Sequence, residues 1–186
     1  MSKFIAFLIS IFTMVTLASA KPNNNRELIV KLGFQPQSEI SVNGKNENMN
    51  VGLSCGVEFF KYLGNIIALG LGTTIDLPRE IKKKELKGNS MSCLPIYVGA
   101  KSRTPLHGLD DTYAFLSGRF GYSSPMGKDL FESANGGLYW ALGLGVDVDY
   151  FVLEAVYAKH TFGNNDTVSS KPEYSTITLY AGFKFE

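Results

Sequence analysis

From residue 27 onward, large apolar residues alternate with small or polar ones along much of the chain. The clearest stretch runs from Val51 to Ile75. Val51, Leu53, Cys55, Val57 and Phe59 share one parity, and Gly52, Ser54, Gly56 and Glu58 share the other. After a short turn at Tyr62–Asn65, Ile67, Leu69, Leu71 and Ile75 oppose Ala68, Gly70, Gly72 and Thr74. A period of two puts alternate side chains on opposite faces of a strand, so this stretch predicts a two-faced hairpin. The same pattern predicts six more strands: Glu27–Gln35, Ser92–Lys101, Thr112–Tyr122, Leu138–Asp147, Phe151–Thr161 and Tyr174–Phe185. Pro36 is expected to stop the first strand, and Pro95 to bulge or break the fourth, because proline lacks the ladder donor. Long polar loops are expected at residues 36–50, 76–90, 123–136 and 162–173. Short turns are expected at Tyr62–Asn65 and Asp147–Tyr150, with a connector of intermediate length at Ser102–Asp111.

Eight antiparallel strands of roughly ten residues suit two architectures, a soluble sheet structure or a barrel that crosses a membrane. Charge placement separates them. On the apolar faces, Lys159 is the one charged residue inside a predicted strand, and it sits near a strand end. The opposite faces carry Lys31, Glu58, Lys101, Arg119, Asp147, Glu154 and Lys184. A charge facing lipid near the midplane costs a few kcal/mol, whereas a lumen charge can pair or meet water. The charged faces are also rich in glycine, with Gly33, Gly52, Gly56, Gly70, Gly72, Gly99, Gly121, Gly143, Gly145 and Gly182. Small residues leave room inside a narrow barrel for a few large polar ones. Aromatic residues fall towards the ends of the apolar faces, at Phe34, Phe59, Tyr122, Phe151, Phe183 and Phe185, where interfacial girdles form. The predicted fold is therefore all-β, an eight-stranded antiparallel up-and-down transmembrane β-barrel. The even strand count puts both termini on one side, with the long loops outside and the short turns in the periplasm.

The first twenty residues have the layout of a secretory leader. Lys3 is followed by the apolar run Phe4–Leu17 and the small residues Ala18-Ser19-Ala20, so cleavage is expected before Lys21. This makes residues 21–186 the barrel domain, exported to the bacterial outer membrane. Without Lys3, the 18 basic and 17 acidic side chains become 17 and 17, a balance that offers nucleic acid no electrostatic attraction. Cys55 and Cys93 fall on opposite faces of non-neighbouring strands, so two free thiols are expected rather than a disulfide. No cofactor or metal spacing is present, and no catalytic residue is assigned.

The segments GVEFFKYLGNIIALGLGT, LPIYVGAK and GGLYWALGLGVDV, with the aromatic-alternating ending Leu179–Phe185, resemble small bacterial outer-membrane barrels of the OmpA/OmpX-like superfamily. The likeness spans residues 21–186. The ending resembles the terminal strand by which the outer-membrane insertion machinery recognises such barrels, although here Glu186 follows the last aromatic. The resemblance implies an architecture and no particular task, because the fold carries many.

The seven inward charges are expected to form a structural network in the lumen centred on Glu58, Arg119 and Glu154, since buried charges need partners. The competing functional reading is a gated conductance path. Three functions remain open. The leading one is a monomeric, non-enzymatic outer-membrane barrel with a structural or surface-interaction role, touching outer-membrane lipid and presenting its long loops to an extracellular ligand or host surface. The second is a lipid A-modifying enzyme, suggested by His160. Lipid A deacylases of similar build use a His, a Ser two positions on and a Glu, but Phe162 holds the serine position here, with Ser169 and Ser170 further along. The third is a secreted soluble barrel binding a small apolar ligand.

Overall fold

The computed structural model describes residues 25–42, 45–80, 90–109, 111–127, 135–163 and 172–185. The leader expected at Met1–Ala20 lies outside them, as do the central parts of the loops. Among the described residues nine strands appear in chain order: β1 (Arg26–Val42), β2 (Lys45–Asn48), β3 (Gly52–Leu63), β4 (Ile67–Glu80), β5 (Ser90–Pro105), β6 (Thr112–Gly127), β7 (Asn135–Val148), β8 (Phe151–Gly163) and β9 (Glu173–Phe185). Each of β3 to β9 pairs with the next, β3 pairs with β1, and β1 pairs with β9, which closes an antiparallel eight-stranded barrel. The four-residue β2 folds back on the outer end of β1, with Glu39 opposite Asn48 and Val42 opposite Lys45.

The stagger follows from the pairing. Leu28 opposes Phe59, which opposes Leu71, then Val98, Phe120, Trp140, Lys159 and Ser175 in turn. Ser175 returns to β1 at Glu39, eleven residues beyond Leu28, one of them being the extra residue of a bulge. A stagger near ten on eight strands tilts them by about 40° and leaves an interior that side chains can fill.

The structure assigns the two faces as the alternation predicts. Leu32, Leu71, Leu116, Leu142 and Leu144 are each more than half exposed on the outer wall, while Lys31, Glu58, Arg119 and Asp147 are buried inside. Apolar residues outside and charges inside invert the arrangement of a soluble barrel and suit a wall whose solvent is lipid. Leu28 and Val57 are exceptions, both of outward parity yet buried, and Leu28 is the more informative. Its register partners are Phe59 and Phe185. Around it, Tyr150, Phe151, Phe183 and Phe185 form an aromatic patch at the turn end, with ring centroids 4.9 to 6.0 Å apart along the series. The outward Lys159 is paired with Glu173 at 2.8 Å near the loop end. Lys61, a further outward charge, lies in the last turns of β3 because that strand runs longer than expected.

The strands are longer than the alternation indicates. Pro36 does not stop the first strand. It sits in a bulge between Phe34 and Gln37, and β1 continues to Val42. Likewise β4 continues past Asp76 through a second bulge between Asp76 and Arg79 that contains Pro78. A bulge absorbs a residue without a ladder donor and reverses the in–out parity beyond it. Residues 36–42, 76–80, 123–127 and 162–163 are therefore strand rather than loop. At the other end, β5 reaches Pro105, which leaves residues 106–111 as the connector to β6, still longer than the turns at 64–66 and 149–150. Pro95 makes no bulge. The β4–β5 ladder has a gap between the pairs Thr73–Ile96 and Asp76–Cys93, and the Thr73 hydroxyl donates to the Pro95 carbonyl at 2.9 Å. The tight turn after β7 places Asp149 at φ 49°, and the turn after β3 places Gly64 at φ 90°. Cys55 and Cys93 are both free.

The wall assignment predicts that Leu142→Arg, near the middle of β7 on the outer face, destabilises the barrel in lipid vesicles by about 2–4 kcal/mol. Lys61→Leu, at the rim, should change the unfolding midpoint little in the same denaturant titration.

Candidate functional site

The interior side chains form three layers of balanced charge. The turn-end layer contains Lys101 of β5, whose ammonium lies 3.0 Å from Glu27 of β1 and 2.8 Å from Asp147 of β7. Tyr62 donates to Glu27 at 3.2 Å, and Lys101 sits 4.3 Å from the centre of the Phe115 ring. Lys184 is buried in the same region, close enough to Glu27 to act on its charge. Level with these groups and on their lumen-centre side, Ile29, Phe60, Tyr62, Ala68, Phe115 and Val152 pack into an apolar floor for the middle of the barrel. At the rim, the Arg103 guanidinium lies 3.8 Å from the Tyr62 ring centre and 4.6 Å from that of Tyr113, and its Nε donates to the Asn65 carbonyl at 3.1 Å.

The middle layer is a closed square of alternating charge. Arg119 of β6 donates through Nε to Glu58 of β3 at 2.6 Å and through one terminal nitrogen to both oxygens of Glu154 of β8 at 2.7 Å. Lys31 of β1 faces the same two carboxylates, at 2.8 Å from Glu58 and 3.3 Å from Glu154. Tyr97 donates to Glu58 at 2.8 Å, and Ser117 to Glu154 at 2.5 Å. Lys31 also lies 4.4 Å from the Tyr180 ring centre. The bridged strands stand on different sides of the barrel, so the square spans the lumen. Glycine makes this possible: a Cβ at Gly143 would lie 2.5 Å from both Glu154 and Ser117, and one at Gly72 would lie 2.9 Å from the Glu58 side chain. Burying four charges is tolerable because each has two opposite partners and the lone pairs are further hydrogen-bonded.

The loop-end layer centres on Asp76 and Arg79, 4.0 Å apart. Gln35 donates to Asp76 at 2.8 Å and Tyr174 does so at 3.4 Å, while Arg79 donates to Ser38 at 2.6 Å. Ser38 in turn shares a hydrogen bond with Thr176 at 2.8 Å. Ile40, Met49, Met91, Cys93, Phe162 and Tyr174 form an apolar cap at this end.

Of the seven charges picked out by parity, the structure brings Lys31, Glu58, Arg119 and Glu154 together in the middle layer. It joins Lys101 to Asp147 in a separate one, with Lys184 nearby. The sequence reading missed Glu27, Asp76 and Arg79. Glu27 shares its parity with Lys31 and Asp76 shares its own with Thr74, so extending the pattern would have found both. Arg79 lies beyond a bulge, where parity reverses.

His160 points into the barrel and is fully buried. Its Nδ1 lies 2.8 Å from Ser123 Oγ, and the rings of Tyr139, Tyr174 and Phe162 surround it at 4.9, 5.0 and 6.1 Å. Ser123 is also fully buried, so this Ser–His pair faces neither lipid nor external water. Among the described residues no cluster of three or more His, Cys, Asp or Glu has the geometry to hold a metal ion.

Arg119→Ala removes one cationic partner from each of Glu58 and Glu154 and should cost about 3–5 kcal/mol in denaturant unfolding, because it leaves buried carboxylates undercompensated. Tyr97→Phe keeps the ring but removes a donor to a charged acceptor. It should cost about 1.5–3 kcal/mol in the same measurement.

No protein-family model matches the sequence, and no curated protein matches it either. Solved structures do match. The crystal structure of Neisserial surface protein A aligns over 86% of this chain and 97% of its own, with a TM-score of 0.57 at 14% identity. That of Ail, the attachment invasion locus protein of Yersinia pestis, covers 87% of this chain and 99% of its own, with a TM-score of 0.53 at 16% identity. The outer membrane protein AlkL, solved by solid-state NMR in lipid bilayers, covers 90% of this chain and 94% of its own, with a TM-score of 0.50 at 11% identity. Identity this low carries no activity across, but the structural likeness over the length of these barrels gives the chain the fold of the small OmpA/OmpX-like outer-membrane β-barrels.

Proposed function

We propose that this protein is a monomeric, non-enzymatic barrel of the bacterial outer membrane that presents a surface at its loop end and does not conduct through its lumen. Residues 1–20 act as a cleaved export leader, residues 21–186 form the barrel, and the strand ending Leu179–Phe185 engages the insertion machinery. The lumen network is structural. The observation that carries this reading is the filled interior: the middle square spans the barrel, the Phe60–Phe115 floor lies below it, and the Met49–Met91–Phe162 cap lies above.

Strand length supports a presenting role. At a tilt of about 40°, a strand such as β6, with 16 residues, rises roughly 40 Å, more than the apolar band of about 25 Å. The short turns belong to the periplasmic side, so the surplus lifts the outer ends of β1, β4, β5 and β6 clear of the membrane. Two of the similar structures have names that refer to surface location or attachment, and one was solved with Ail bound to a heparin analogue. The buried, inward position of His160 gives no support to a lipid A-modifying activity, since that substrate would lie outside the wall.

On expression in a Gram-negative host, the protein should sediment with the outer membrane and migrate differently on gels before and after boiling. Free solubility without detergent would sink this reading. In planar bilayers, the native protein and Arg119→Ala should show no sustained conductance; a large new current on that single change would identify the network as a gate.

A further inference from the structure

On the outer wall two charges of the same sign face each other. Arg26 of β1 is directly opposite Lys61 of β3. Arg26 shares the outward parity of Leu28 and Leu32, Lys61 shares that of Phe59 and Leu63, and both are exposed. The Tyr62 N–H donates to the Asn25 carbonyl at 2.7 Å, so that step of the ladder is a hydrogen-bonded pair. The next step, Arg26–Lys61, is therefore of the non-hydrogen-bonded kind, in which the Cα atoms stand only about 4.5 Å apart and the side chains are close. Like charges placed this way repel and cost stability unless an anion lies between them.

No carboxylate of the described residues supplies that anion. The neighbouring Glu27 and Glu58 point inward, where Glu27 pairs with Lys101 and Glu58 with Lys31 and Arg119. The exposed acids of this end, Asp111 and Asp149, belong to the β5–β6 and β7–β8 turns, at least two strands from the β1–β3 seam on either side. By contrast, the outward Lys159 at the loop end lies 2.8 Å from Glu173.

Register sets the depth of the pair. Phe185, part of the aromatic patch at the turn end, is opposite Leu28, so Arg26 lies two residues beyond that patch. That is the level at which an aromatic belt gives way to lipid headgroups. Towards the loop end the same seam is apolar, with Leu28–Phe59, Val30–Val57, Leu32–Cys55 and Phe34–Leu53 as its outward pairs. At a tilt of about 40°, the run from Leu28 to Phe34 rises roughly 15 Å, half the thickness of a hydrocarbon core.

The occupant that fits is anionic at its head and apolar behind. We propose that Arg26 and Lys61 form a headgroup site for an anionic glycerophospholipid of the leaflet that faces the turns. The guanidinium meets the phosphate as a two-pronged donor and the ammonium meets it as a point charge, while the acyl chains lie along the β1–β3 seam. The lipid cancels the repulsion at the strand that opens the barrel. This site rests on the outer-membrane reading proposed above.

The test uses the full barrel in phosphatidylcholine vesicles, with Trp140→Phe removing the single tryptophan and Phe59→Trp placing a reporter beside Lys61. Read from quenching of the reporter, brominated phosphatidylglycerol should occupy the site about fivefold or more in preference to brominated phosphatidylcholine. Adding Arg26→Gln and Lys61→Gln together should bring that ratio close to one, and Lys159→Gln should leave it unchanged. Equal quenching by the two lipids in the reporter protein, or a preference that survives the double substitution, would overturn the site while leaving the membrane wall intact. A preference abolished by inorganic phosphate, but not by chloride of equal ionic strength, would make this a site for a free anion and overturn the lipid assignment. Quenching by neither lipid would overturn the membrane reading and this site together.

Discussion

A charge inside a narrow, lipid-clad barrel must be neutralised where it stands. Water is scarce, and the wall outside offers no counter-ion. Moving an unpaired ion into such an interior costs several kcal/mol even after relaxation. The three layers satisfy this constraint locally: Lys101 and Lys184 with Glu27 and Asp147, Lys31 and Arg119 with Glu58 and Glu154, and Arg79 with Asp76. Each layer sums to zero. Charges drawn from strands far apart in sequence, such as Lys31 and Glu154, can meet only if the barrel closes with one stagger. A register slip of one residue would turn the whole set outward into lipid, so the network specifies register as well as filling space.

The glycines belong to the same argument. The interior has a fixed cross-section, and two guanidinium or ammonium groups with their carboxylates occupy most of a layer. Gly72 and Gly143 sit beside the middle square where any side chain would collide with it. Gly33 and Gly52 play the same part at the loop end, beside Ser54 and Arg79. Bulky and vacant positions therefore have to be distributed together, which explains why the inward faces read as glycine broken by single large polar residues.

That pairing of small and charged residues is also why most of the fold was legible in the sequence. Alternation along β3, β4, β7 and β8 put the large apolar residues on the exposed face, with Val57 as a buried exception. The failures cluster at one end. Pro36 and Pro78 each lie in a bulge, and beyond each the parity reverses: Gln35 points in, then Ser38 and Ile40 do; Asp76 points in, then Arg79 does. A pattern that shifts phase looks like the loss of a pattern, so these segments read as loops, and the third charge layer was hidden with them. Pairing partners were hidden for a different reason. Parity shows that Glu58 and Arg119 face inward, but only the stagger brings them to the same height, and stagger is a property of closure rather than of any one strand.

The same bulges explain how the loop end differs from the rest of the barrel. Below them the wall is a uniform ladder, and the interior is filled by ion pairs with bidentate or doubled contacts. Above them β1 exchanges β3 for the four-residue β2, the Asp76–Arg79 pair lengthens to 4.0 Å, and apolar Met49, Met91 and Phe162 replace charge as the filling. A side chain such as methionine adapts to irregular surroundings in a way that a fixed square of ion pairs does not. The rigid lower lumen thus anchors a more adaptable upper one. Substitutions above the bulges can reshape the mouth without disturbing the middle square, whose members all come from strand segments below them. A barrel divided in this way can change what it presents to its surroundings while keeping the wall that lets it fold.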